Sequence, residues 1–330
     1  MKYEKKIFSL LVALVATVAV QAQIISVVSP SGATSLYRTL PEAIKGAANG
    51  SVVYLPGGGF TIPDSVKITK KLTIIGIGSK ANSDNVDGAT TINGKLYFNQ
   101  GSDGSAVMGC HIADYVYIGY NGQVNDVMIN RCHTRSIYVK TWTCTGTVIS
   151  QNYCYGSISF GSSSSSSTER AGGTVKNNII TGGVSCMTSG IISNNIFCNS
   201  SASSTVLVYL ATTTVTGNII YRGAIEYSSS IFAFGNARFN MEWGENPIKF
   251  STESLGDVFK NPASSSGTIA YDFHFKDEYK QYESQVGIYA GEGFDDSQLA
   301  PTPRIVAKHI PDKTDAEGKL NIKVRVKASE

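Results

Sequence analysis

The amino-acid sequence predicts an all-β chain: a parallel β-solenoid with a short N-terminal capping helix and a C-terminal irregular and β-hairpin region. Three observations predict it. A short motif ending in Asn recurs through the middle of the chain. The chain is poor in charge and rich in small polar residues, with 28 Lys+Arg, 25 Asp+Glu and 33 Gly in 330 residues. Short stretches with apolar residues at i and i+2 accompany the motif, and longer clean alternation near the C-terminus marks an expected strand pair. An apolar fraction of 42% excludes a disordered chain. A formal net charge of +3 without a concentrated basic face argues against nucleic-acid binding.

Residues 1–22 read as a secretory signal peptide. Lys2, Lys5 and Lys6 precede an uncharged stretch from Ile7 to Val20, and Val20, Gln21 and Ala22 offer a cleavage site. The apolar run is short for a spanning helix, which needs ~20 residues. The expected destination after cleavage near Ala22 is the periplasm, the cell surface or the medium, and no membrane span is expected in the mature chain. Residues 23–245 then form the solenoid domain with its N-terminal cap, and residues 246–330 a C-terminal cap and β appendage.

The cap comes first. LPEAIKGAA (40–48) has helical periodicity with Pro41 near its start. SVVYL (51–55) and LTIIG (72–76) follow as strands. The repeats come next: VISQN (148–152), VKNN (175–178), ISNN (192–195) and VTGN (215–218), with AFGN (233–236) a looser copy and VMGC (107–110) and VMIN (127–130) degenerate ones. A second strand with apolar residues at i and i+2 accompanies each: VYI (116–118), IYV (137–139), ISF (158–160), VSC (184–186) and IEY (225–227). A unit of about 20 residues cannot bury its inner face alone, whereas stacked units can. About nine coils at ~4.8 Å give a body roughly 40 Å long. Asn152, Asn178, Asn195 and Asn218 then fall at one inward corner, where stacked amides satisfy each other, so they are read as a structural ladder.

The stretch 39–78 (TLPEAIKGAANGSVVYLPGGGFTIPDSVKITKKLTIIGIG), with the ISNNIF type of coil, resembles right-handed parallel β-helix proteins of the pectate-lyase-like superfamily. The resemblance covers roughly residues 25–245 and implies a right-handed helix associated with polysaccharide. It implies no single activity, because that superfamily holds lyases, glycosidases, epimerases and adhesins. The segment VGIYAG (286–291) and the alternating pair at 304–310 and 320–328 are similar to the end of secreted bacterial β-helix proteins of unassigned activity.

Residues 91–240 hold only five acids: Asp103, Asp114, Asp126, Glu169 and Glu226. That scarcity argues against paired-carboxylate hydrolysis and against a calcium-dependent lyase. A metal-free lyase needs only a base and cations, and Tyr138, His133 and Arg135 are its candidate catalytic residues. A binding face needs outward aromatics with basic side chains, and Tyr117, Tyr138, Arg135, Lys140, Tyr209, Arg222 and Tyr227 are the candidates. Two Cys-His pairs, at 110–111 and 132–133, follow the coil spacing and read as packing, so no metal site and no cofactor is expected. The six cysteines read mainly as buried free thiols, with one bridge between stacked neighbours left open. The favoured reading is non-catalytic polysaccharide or surface-glycan binding or scaffolding, with a lyase and an adhesin-like surface protein as alternatives. The C-terminal region, net −4 over residues 241–330, is a candidate site for a protein partner.

Overall fold

The computed structural model describes residues 23–80, 88–161, 170–199, 201–226, 231–262, 271–309, 311 and 313–327. The expected signal peptide and the serine run from Ser162 to Ser167 lie outside them. The described chain is a parallel β-solenoid of about eight turns, slightly fewer than the repeat count suggests. Among the described residues no helix is long and apolar enough to cross a membrane.

Each coil contributes strands to three faces. The first face stacks Ser51–Leu55, Leu72–Gly76, Ala106–Met108, Met128–Asn130, Thr147–Ser150, Gly173–Lys176, Ile191–Ser193, Thr213–Thr216 and Ile231–Phe234, all in parallel. The other two faces belong to one branched sheet. Its long strands His111–Ile118 and His133–Val139 each serve both faces, and in later coils they divide into short pairs such as Tyr153–Cys154 and Ile158–Ser159. Inward residues stack in columns. Ile74, Val107, Ile129, Ile149, Val175, Ile192 and Val215 form one, all fully buried. Like side chains one strand spacing apart pack without voids, so the core grows coil by coil.

Both ends of this core are plugged. The Leu40–Gly46 helix starts on Thr39, whose Oγ1 accepts the Glu42 N–H at 3.4 Å, and turns Leu40, Ala43 and Ile44 onto the first coil. At the far end Trp243 closes the interior.

The first corner of the coil explains the Asn motif. The residue before each ladder position has positive φ: Gly109 (64°), Arg131 (51°), Gln151 (56°), Asn177 (52°), Asn194 (55°), Gly217 (64°) and Gly235 (59°). Gly and Asn tolerate this region best, and it turns the chain sharply from one face to the next. Behind it Asn152, Asn178, Asn195 and Asn218 are fully buried, and Nδ2 of each donates to Oδ1 of the next at 2.9–3.0 Å. Asn236 is the fifth rung. Upstream, Cys132 and not Asn130 takes the ladder position. Its N–H donates to Asn152 Oδ1 at 2.8 Å, and its Sγ faces the Asn130 carbonyl at 3.3 Å. Asn130 ends the preceding strand instead, pointing at Ser150. All six cysteines are buried and free.

The C-terminal region does more than close the last coil. Ile248–Phe250 continues the pairing of Ala237–Phe239, and residues 271–300 then run back along the outside as a strap. The strap follows the positive-φ corner. The Gly287 N–H donates to Gly217 O, and Asn177 Nδ2 to the Ile288 and Ala290 carbonyls. Lys176 pairs with Glu292 (2.5 Å) and Arg131 with Asp295 (2.9 Å). Ala300 lies against Gly109, and Ser79 N–H reaches Gln298 O. Beneath the strap a second apolar cluster joins outward residues Tyr153, Ile179, Ile196 and Ile219 to Phe273, Phe275, Val286, Ile288 and Phe294. The expected strand pair is present beyond the strap, Arg304–His309 against Lys323–Lys327, antiparallel.

Candidate glycan-binding face

The third face begins with Leu96–Phe98 and continues through the C-terminal halves of His111–Ile118 and His133–Val139. In each strand the outer two of three residues point inward and the central tyrosine points away from the core, half-buried at Tyr117 and Tyr138 and 7% exposed at Tyr97. Tyr97, Tyr117 and Tyr138 are therefore in register on adjacent coils. Their rings stack, with centroids 5.0 and 5.3 Å apart and planes inclined by 15° and 19°. The next coil places Ser159 opposite Tyr138, so the row stops at three.

Cations flank the row. Lys67 Nζ lies 3.0 Å from the Tyr97 ring centroid, and Lys140 Nζ 4.7 Å from that of Tyr138 and 5.8 Å from that of Tyr117. Tyr120 packs edge-on against Tyr97 and Tyr117 and is well exposed. Tyr115 tilts against Tyr117 and Tyr138 and carries the Arg135 guanidinium 5.1 Å from its centroid. Lys95 is paired with Asp64 at 2.8 Å. Burial pushes the Tyr97 and Tyr117 phenols up and Lys67 down from their ordinary values. The phenols stay protonated near neutral pH and can donate hydrogen bonds.

This geometry decides what the face can recognise. Three mutually stacked rings use their π-faces on each other, and Tyr97 is covered by Lys67 and Tyr120, so the row presents to solvent the ring edges and hydroxyls of Tyr117 and Tyr138. Hydroxyls beside ammonium and guanidinium groups suit carboxylates or sulfates better than the apolar face of a neutral sugar.

The sequence-derived candidates separate. Tyr117, Tyr138, Arg135 and Lys140 share this face. His133 does not: it is 5% exposed, stacked between His111 (4.7 Å) and Tyr153 (4.8 Å), and neither ring nitrogen has a hydrogen-bond partner. Burial, with a smaller push from His111, lowers its pKa to about 3. A sealed, neutral imidazole cannot reach a polymer on the surface. Tyr209 is elsewhere, 5.6 Å from the Arg170 guanidinium. Arg170 also lines a cleft of about 480 Å³ beside the exposed Trp142. Arg222 sits over Tyr221 in a cleft of about 660 Å³ at the C-terminal end. Tyr227 lies outside the described residues. Tyr97, Lys67, Tyr115 and Tyr120 were not anticipated. The Leu-Tyr-Phe triplet at 96–98 has the same form as VYI and IYV, and aligning it with them would have found Tyr97.

A second polar cluster lies on the strap. Asp272 Oδ1 accepts the His274 N–H (2.8 Å) and sits 2.9 Å from its Nδ1, Asp296 Oδ2 stands 3.8 Å from the same nitrogen, and the Tyr289 hydroxyl donates to Asp296 at 2.8 Å. Burial raises the Asp296 carboxyl, whereas the bonds from His274 outweigh burial at Asp272 and lower it. Lys80 faces both Asp296 and Asp295. The cluster joins the strap to the loop that leaves the first coils. Among the described residues no group of three or more His, Cys, Asp or Glu is arranged to hold a metal ion.

Comparison with family models, with curated proteins and with solved structures returns no match.

Proposed function

We propose that the protein binds an acidic polysaccharide along the Tyr97–Tyr117–Tyr138 row, outside the cell or at its surface, without cleaving it. The observation that carries this reading is a stacked phenol row with Lys67 and Lys140 over its rings. Donors on two adjacent coils, Tyr117 and Tyr138, with Lys140 beside them match an extended polymer bearing anionic groups, and each charge-assisted bond is roughly twice as strong as a neutral one. The resemblance of residues 25–245 to pectate-lyase-like β-helices supports polysaccharide as the ligand class. The charged start and apolar run of residues 1–22 support export. The lyase reading loses His133, which is sealed under Tyr153 and Tyr155, and rests on Tyr138.

The test is affinity electrophoresis through gels holding acidic or neutral polysaccharides, beside an absorbance assay for new double bonds in EDTA. Retention by an acidic polymer, weakened about tenfold in Tyr117→Ser and in Lys140→Ala, is expected. Equal retention of wild type and both variants would refute the site. An absorbance rise that Tyr138→Phe abolishes would replace binding by lyase activity.

A further inference from the structure

The corner that follows the tyrosine row carries a cleft. The chain leaves Val139 through Lys140 and turns back toward the first face at Thr147. Residues 142–146, 170–174 and 188–191, from successive coils, line a groove of about 480 Å³ along this corner. Bare backbone is required where these corners touch. A Cβ on Gly190 would lie 2.7 Å from Gly173 O, and one on Gly172 2.8 Å from Thr188 O. The turn that bears Trp142 is pinned to the coil before it. Buried Cys144 accepts the Val124 N–H on Sγ at 3.3 Å, and the Thr145 N–H donates to Asn125 Oδ1 at 2.9 Å. Groups held this way need little further ordering when a ligand arrives.

Two side chains set the chemistry of the cleft. Trp142 is 54% exposed, and among the described residues no ring or cation stacks on its indole. The tyrosine rings face each other, whereas an open indole takes the apolar C–H face of a sugar ring. Arg170 supplies charge. Its guanidinium lies 5.6 Å from the Tyr209 ring centroid, and its Nε is buried without a hydrogen-bond partner among the described residues. A buried donor in that state calls for an acceptor. Thr174 and Thr188 add hydroxyls to the wall, Ile191 adds exposed apolar surface, and Asp126 Oδ1 crowds Gly146 at the rim.

We infer that this cleft is a second sugar subsite, in which an acidic pyranose lies on the Trp142 indole and its carboxylate or sulfate meets the Arg170 guanidinium. The inference rests on the polysaccharide-binding reading of the tyrosine row. Trp142 is two residues beyond Lys140, so a chain lying on Tyr117 and Tyr138 passes Lys140 directly into the cleft. A pyranose adds about 5 Å to a polymer, close to the ~4.8 Å coil spacing. Tyr117, Tyr138 with Trp142, Arg170 and Thr188 belong to successive coils, so the combined path holds about four sugars. The two parts read different features. The tyrosine hydroxyls and Lys140 read charge, and Trp142 requires a ring face free of substituents.

Intrinsic fluorescence reports on the cleft directly. The chain has two tryptophans, and Trp243 is buried at the far end of the core, so a change on adding ligand reports Trp142. The probes are oligouronates from alginate and pectate and sulfated oligosaccharides from carrageenan, graded through about four sugars. The expected result is a blue shift with an affinity that rises with length and levels off near that size. By calorimetry, Trp142→Ala, at an exposed position, should weaken the longer ligands about tenfold with an unchanged melting temperature. Arg170→Gln should weaken the acidic ligands similarly and leave the weaker binding of carboxyl-reduced oligouronates unchanged. Binding that Tyr117→Ser weakens but Trp142→Ala and Arg170→Gln leave intact would overturn the cleft and keep the tyrosine row. A Trp142 response with full affinity in Tyr117→Ser would keep the cleft and overturn the row. No binding of any acidic oligosaccharide would overturn both.

Discussion

Asn195→Ala isolates what one rung of the amide ladder contributes. The side chain is fully buried. Its Nδ2 donates to Asn218 Oδ1 (2.9 Å), Val175 O (2.9 Å) and Ser193 O (3.0 Å), and its Oδ1 accepts the Asn178 N–H and Nδ2, both at 2.9 Å. The losses are unequal. Asn178 Nδ2 keeps Ile149 O and Lys176 O, and Asn218 Oδ1 keeps the Asn195 N–H. The Asn178 N–H is left without its acceptor in a dry core. An orphaned buried donor costs ~1–3 kcal/mol, and the lost bonds and small cavity add to it, for a total of about 3–5 kcal/mol. Asn195→Leu fills the volume and still orphans the donor, so it should cost at least as much. Asn195→Cys should cost about half, because Cys132 already fills this position with its thiol against the Asn130 and Val107 carbonyls. Urea unfolding followed by circular dichroism gives the three values. Hydrogen exchange read by mass spectrometry should show protection falling first in residues 173–220, since coupling in a solenoid is between neighbours. An Ala cost below ~1 kcal/mol, or a Leu variant as stable as wild type, would refute the ladder as a stabilising element.

Three further outcomes follow from the geometry. His133 has a pKa of about 3 in the fold against ~6.5 in an unfolded chain, so the unfolded state binds more protons between these values. Stability present above pH ~6.5 is thus lost toward pH 3, by up to about 1.4 kcal/mol per unit. His133→Phe keeps the stack and should show a smaller drop in urea midpoint between pH 7.5 and pH 5, and an equal drop would count against this. Burial pushes the Cys132, Cys154 and Cys198 thiols up to about 12. Because all six thiols are buried and free, the native protein should leave them unmodified by a thiol reagent and expose six on unfolding without reductant. Arg131→Ala removes the ion pair to Asp295 and the bond to Leu299 O (3.1 Å), a loss of about 1–3 kcal/mol. Exchange should quicken in residues 285–300 while the coils keep their protection, and uniform loosening would contradict that localisation.

The solenoid was legible because its period is written in residues with one physical job. An Asn behind a tight corner is conspicuous, and four of the five rungs stand in plain motif copies. The coil spacing paired Cys110 with Cys132, but the place of Cys132 in the ladder was hidden because the motif was matched on Asn130, two positions early. The strap was not legible as a strap. Its trace lies in the coils, where Asn178, Asn195 and Asn218 are each followed by two apolar residues in succession. Alternation allows only the second of each pair, Ile180, Phe197 or Ile220, to face inward. The first, Ile179, Ile196 or Ile219, must therefore be covered from outside. A doubled apolar pair in three successive coils was the signal of a covering segment. The candidate site was half legible: register brought Tyr117 and Tyr138 together, burial removed His133, and Lys67 meets Tyr97 because Val66-Lys67-Ile68 repeats the same triplet one coil earlier, with Ile68 bridged to Phe98.

The strap also acts as a gauge of length. A solenoid gains coils easily by tandem duplication, since a copied unit finds identical neighbours on both sides. Here each added coil would lengthen the rod by ~4.8 Å, while an extended chain covers only ~3.3–3.6 Å per residue. The strap would come up one or two residues short, and Arg131, Asn177 and Gly217 would meet the wrong partners on it. Growth of the rod must therefore be matched by growth of a segment distant in sequence, and two coordinated changes are far rarer than one. The number of coils is set from outside the stack.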